Sequence, residues 1–235
     1  SAPCKTLGFV NMRRKIYDRL LQWKREKNGS TAILIEGARR TGKSWIAEEF
    51  ARNEYDSYIL IDFSKAPKRV RGWFDEYLED IPTLLQNIQL HYKKQLTPRK
   101  SLIIFDEVQK CPRAREAVKA LVENRTFDYL ETGSLISIKK NVQDIVIPSE
   151  EESIDMYPMD FEEFLWAMGN EVLMPYIKSQ YDKKKPMGEF HREALHYFRQ
   201  YLIVGGMPQA VAEYAASRDF ARVDAVKRTI LRLYK

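Results

Sequence analysis

The sequence predicts an α/β fold, a three-layer αβα arrangement with a parallel sheet, followed by an all-helical segment. Three observations carry that expectation. Short apolar runs alternate with helical patterns over the N-terminal part of the chain, and right-handed crossovers between parallel strands put helices on both faces of a sheet. A glycine-spaced loop, Gly37-Ala38-Arg39-Arg40-Thr41-Gly42-Lys43-Ser44, separates the first apolar run from the helix after it. From Asp160 onward the apolar residues recur only at helical spacing.

The elements follow in order. "RRKIYDRLLQWKREK" places Ile16, Leu20, Leu21 and Trp23 near one helical face, and Gly29 stands where helices stop. "TAILIEG" is a short buried strand, and a helix runs from Gly42 to about Asn53. "YDSYILIDFS" is a second strand. Helical stretches follow at Lys68–Leu78 and Ile81–Leu96, the latter with Pro82 near its start. "SLIIFDEV" is a third strand, "RAREAVKALVENR" one helix, "FDYLETGS" a fourth strand and "SIDMYPM" a fifth. In "DFEEFLWAMGN", Asp160 can cap the helix and Glu163 can reach back to it, with Phe161, Phe164, Leu165 and Met168 as a core stripe. "EALHYFRQYLIVGGMPQAVAEYAA" predicts a helix, a Gly-Gly break and a helix started by proline.

Composition narrows the functional classes. With 235 residues, 44% hydrophobic and 31% charged, the chain suits a soluble core plus an appendage. No apolar run is long enough to span a membrane, and a cytoplasmic setting is expected. Cys4 and Cys111 show no paired spacing, and three histidines without a C-x-x-C argue against structural zinc. The net charge of +6 is spread over clusters diluted by acidic runs such as "SEEES", the pattern of solvated faces. The first eleven residues are expected to be a leader or tag remnant, since Met12 opens the first helical pattern.

The loop Gly37–Ser44 matches G-x-x-x-x-G-K-[ST] without a gap. Glycines let the backbone curl so that N–H groups cradle phosphate; Lys43 then reaches the β- and γ-phosphates and Ser44 can bind Mg²⁺. The strand "LIIFDE" ends in Asp106-Glu107, four apolar residues and two carboxylates, the Walker B pattern. Ligands gather at that edge of a parallel sheet, so Asp106 is the expected Mg²⁺ residue and Glu107 the general base for an attacking water. The end of the fourth strand, "LETGS", offers Thr132 or Ser134 as a hydroxyl near the γ-phosphate, a sensor-1 position. ATP is favoured over GTP because no Asn-Lys-x-Asp motif occurs.

"IEGARRTGKS", "IIFDEVQ", "YLETGS", "MYPMDFEEFLWA" and "YLIVGGMPQAV" occur in the order seen in a group of prokaryotic AAA-type P-loop ATPases, which the chain resembles from about Met12 to its end. The resemblance implies an ATPase core at 12–158 with strand order 5-1-4-3-2, then a helical lid at 159–235. It also implies ATP and Mg²⁺ as cofactors. Family members usually continue into a nuclease-like C-terminal domain. The last helix here, "ARVDAVKRTILRLYK", lacks a stop signal, so truncation before such a domain is expected, with a homo-oligomer and a DNA or protein partner. One departure concerns the Gly-Arg that members often carry before the fifth strand; "IPSEEESIDMYP" has no arginine. An arginine finger is worth about 10³–10⁵ in rate. Its sources here are Arg39, Arg40, Arg125 or a neighbouring subunit. The alternatives to an ATPase are a nucleotide-held switch with little turnover and a small-molecule kinase.

Overall fold

The apolar runs become five strands: β1 Ala32–Gly37, β2 Ser57–Asp62, β3 Ser101–Asp106, β4 Asp128–Ser134 and β5 Glu151–Asp155. They are seen in a computed structural model that describes residues 12–134, 150–232 and 234. Every pairing is parallel, and the order across the sheet is β2-β3-β4-β1-β5, as expected. The described residues divide into two compact units, one within Ile16–Met156 and a second made of residues 12–15 with those from Tyr157 onward.

In the first unit, side chains alternate across the sheet because the strand period is two. Leu34, Ile61, Phe105 and Tyr129 point to the face covered by α3 (Lys68–Glu76), α4 (Ile81–Tyr92), α5 (Pro112–Glu116) and α6 (Val118–Asn124). Ile35, Ile104, Leu130 and Ile154 point to the other face, against α1 (Lys15–Lys27) and α2 (Lys43–Glu54). All six residues of β3 are buried. That is why "SLIIFD" shows no polar alternation before its final acid.

Several boundaries differ from expectation; the helix expected to reach Leu96 ends at Tyr92, where Lys93 turns left-handed with φ 53°. The helix expected over 113–125 is divided at Ala117 into α5 and α6. The winding is kept, since Ala117 N–H reaches Arg113 O and Leu121 N–H reaches Ala117 O. Arg115 on α5 binds the buried side chain of Glu151 on β5, while Val118 and Leu121 on α6 fill the core. The fifth strand starts at Glu151 and ends at Asp155, with Met156 N–H donating to Glu36 O at 2.6 Å as the last rung. Its neighbour β1 stops at Gly37, and the strand does not continue through Tyr157 and Pro158.

The second unit is helical throughout its described residues: α7 Phe161–Ala167, α8 Leu173–Asp182, α9 Phe190–Val204, α10 Pro208–Ser217 and α11 Phe220–Arg232. Helix α7 has a complete capping box, Glu163 N–H on Asp160 Oδ1 at 2.9 Å and Asp160 N–H on Glu163 Oε2 at 3.1 Å. The other Glu163 oxygen takes buried Arg14 Nε at 3.1 Å and Lys15 N–H at 2.8 Å. In the Gly-Gly-Met-Pro turn, a Cβ on Gly206 would sit 2.2 Å from Met159 O, so only glycine fits. The first eleven residues, residues 147–149 of the stretch without arginine, and residues 233 and 235 of the last helical pattern lie outside the described residues.

Candidate nucleotide site

The phosphate loop joins β1 to α2 at the carboxyl edge of the sheet. At Gly37 a Cβ would lie 2.2 Å from Met156 O, so the close approach of β1 and the chain after β5 demands glycine. Gly42, at the N-cap of α2, has φ 95°, a left-handed conformation that L side chains resist. No side chain caps this helix. The positive end of its dipole therefore faces the loop without a carboxylate or hydroxyl of the N-cap residue to neutralise it, as an anion site requires. Buried Thr41 ties the loop by donating its hydroxyl to Ala38 O at 2.9 Å. Ala38, Arg39 and Arg40 are exposed.

Lys43 is only 5% exposed. Its ammonium donates to Gly37 O at 3.0 Å and Ala38 O at 2.7 Å, which holds it inside the loop. Burial lowers its pKa below the ordinary lysine value, while the carboxylates of Glu107 and Asp106 pull it back up. Both acids therefore act on this one cation.

Asp106 Oδ1 accepts two hydroxyls, Ser44 Oγ at 2.6 Å and Thr132 Oγ1 at 2.5 Å. The three groups come from α2, β3 and β4 and meet because Asp106 and Thr132 both point to the α2 face of the sheet. Thr132 Oγ1 also accepts the Glu107 N–H at 3.2 Å. Glu107 itself has φ 57°, an uncommon left-handed conformation for a non-glycine residue, and opens the 3₁₀ turn Val108–Lys110. Gln109 Nε2 in that turn donates to Glu107 Oε2. An aspartate and a hydroxyl, both hard oxygen donors beside a buried lysine, fit a magnesium ion that completes its shell with phosphate and water. Among the described residues no group of three His, Cys, Asp or Glu forms a cage that would hold a metal without such a ligand.

The structure thus brings together Lys43, Ser44, Asp106, Glu107 and Thr132. Of the two hydroxyl candidates, Thr132 bonds the acid, whereas Ser134 stands at the end of β4 in register with Gly37. Arg125 caps the end of α6, before β4 begins. It lies at the amino edge of the sheet, so it cannot serve the site of its own chain; β4 alone separates the two edges by roughly 20 Å. Sequence reasoning missed Gln109, although "DEVQ" offers an amide two residues after the second acid. It also missed a buried cluster on the opposite sheet face. There Arg115 grips Glu151 with Nε at 2.9 Å and Nη2 at 2.6 Å, next to fully buried Glu131. The signal was an acid inside the apolar run "FDYLETGS".

Among solved structures, the Walker-type ATPase of Pyrococcus abyssi is similar at 17% identity and a TM-score of 0.51, over 94% of this chain and 72% of that one. Drosophila ORC bound to DNA aligns at 11% identity with a TM-score of 0.48, over 92% and 66% of the two chains. C. elegans PCH-2 aligns at 13% with 0.44, over 95% and 69%. At these identities the likeness to the Pyrococcus protein bears on the fold alone. No curated protein matches the sequence. A family model described as an AAA domain matches residues 29–165, more than half of the chain, and its span takes in the phosphate loop, the paired acids and Thr132. The chain belongs to the AAA domain family.

Proposed function

We propose that the chain is an ATPase, binding ATP with Mg²⁺ at Gly37–Ser44 and hydrolysing it. The carrying observation is the meeting of Ser44, Asp106 and Thr132 within hydrogen-bond distance, beside the glycine-capped N-terminus of α2 and buried Lys43. In this reading the backbone of Gly37–Gly42 and the Lys43 ammonium bind the β- and γ-phosphates. Ser44 and Asp106 would hold the metal, which when bound neutralises charge on the phosphate oxygens. Glu107 takes a proton from the water that adds to the γ-phosphorus, while the bond to the bridging oxygen of ADP breaks. Thr132 fixes Asp106 through its hydroxyl and Glu107 through its main chain.

The finer proposals follow from the resemblance to prokaryotic members. The core at 12–158 turns over ATP in the cytoplasm, and the helical part at 159–235 transmits the nucleotide state to a protein or DNA partner, with a neighbouring subunit supplying an arginine. The test is Glu107→Gln. Phosphate release should fall about 10²–10⁴-fold with ATP binding retained. An unchanged, negligible rate would replace the ATPase with a nucleotide-held switch, and phosphate found only on an added acceptor would indicate a kinase.

A further inference from the structure

We infer that Gln109 is the positioning residue for the Glu107 carboxylate. The inference rests on the reading of Glu107 as general base and goes beyond it by naming what aims that base. Glu107 follows β3 on a flexible side chain only partly buried, so backbone placement alone leaves its carboxylate several rotamers. Three restraints converge on it. Its left-handed backbone turns the chain sharply after Asp106. Its N–H is held by Thr132. The Gln109 amide donates to one carboxylate oxygen, Oε2, which leaves Oε1 to accept a proton.

The platform beneath the amide is rigid. Val108 and Cys111, on either side of the turn, are buried in the core, and Cys111 N–H closes it on Val108 O at 2.9 Å. Gln109 is itself only 7% exposed. A buried amide on a fixed turn defines a direction, and loss of such alignment is costly because a misplacement near 1 Å can remove about 10²-fold in rate.

The test is steady-state ATP hydrolysis by the whole chain, with Glu107→Gln measured beside it. Gln109→Ala should lower kcat about 10–100-fold with KM for ATP unchanged. In a Glu107→Gln background it should cost nothing further, since the group it aims is gone. Gln109→Glu keeps the shape but replaces the donor with a like charge against the base, so it should lower kcat at least as far as Gln109→Ala, again with KM for ATP unchanged. Gln109 variants with wild-type or increased kcat overturn the inference while leaving Glu107 as base. So does a loss that adds in full to that of Glu107→Gln. If Glu107→Gln alone leaves turnover unchanged, the general-base reading fails and the inference with it. Thermal unfolding of each variant separates aim from folding.

Discussion

Glu131 and Thr132 are consecutive on β4 and both fully buried, yet they belong to two different chemistries. Thr132 points to the α2 face, where its hydroxyl bonds Asp106 and takes the N–H of Glu107. Glu131 points to the α5 face, where no donor among the described residues reaches either of its oxygens. Burial, then the facing Glu151 carboxylate, push its carboxyl well above the usual range, with Arg115 pulling the other way. Protonated, Glu131 becomes the donor and Glu151 the acceptor. The contrast shows how one strand serves two ends: one face presents satisfied oxygen donors that a cation can share, and the other locks β4 and β5 to α5.

If that division holds, variants on the α5 face should change stability more than turnover, and variants on the α2 face the reverse. The largest effect is expected from Arg115→Ala, which leaves Glu151 buried without its ion pair. It should cost about 3–5 kcal/mol and lower the unfolding midpoint by roughly 10 °C, with KM for ATP little altered in the folded fraction. Lys43→Ala should weaken ATP binding by about 2–5 kcal/mol in titration calorimetry. Because burial depresses the wild-type ammonium, ATP affinity should also fall at a lower pH than an ordinary lysine would dictate as solutions turn alkaline. Thr132→Val, which strands the Glu107 N–H, should slow hydrolysis about tenfold for a loss of about 1–2 kcal/mol.

The smallest effect belongs to Glu131→Gln. The raised carboxyl must stay protonated in the folded chain while it ionises in the unfolded one. Wild-type stability is therefore full below the unfolded value near 4.5 and falls as pH rises toward the folded value. The glutamine variant should lack that slope and so be more stable than wild type near neutral pH, measured as unfolding midpoint against pH. A variant that instead loses turnover at constant stability would put Glu131 on the functional side of the strand and break the division.

Much of this was legible in one dimension. The loop Gly37–Ser44 and the pair Asp106-Glu107 are local patterns, since phosphate binding needs consecutive backbone N–H groups and a strand-end acid needs only its strand. The sheet order was legible only through resemblance, because periodicity names strands but not their neighbours. The division at Ala117 escaped because "RAREAVKALVENR" satisfies helical spacing throughout. The end of β5 escaped because strand length is set by the partner, here β1.

By itself the sequence determined a phosphate loop opening a helix, a strand closing in two acids, and an alternation that demands a parallel sheet, all consequences of residue type at short spacing. Tertiary structure decided the rest. It chose Thr132 over Ser134 as the hydroxyl on Asp106, sent Arg125 to the wrong edge, and set Glu131 against Glu151 and Arg115. These outcomes depend on which residues of different strands and helices share a face and a height. Strand register and helix packing settle that, through contacts between residues far apart in the chain.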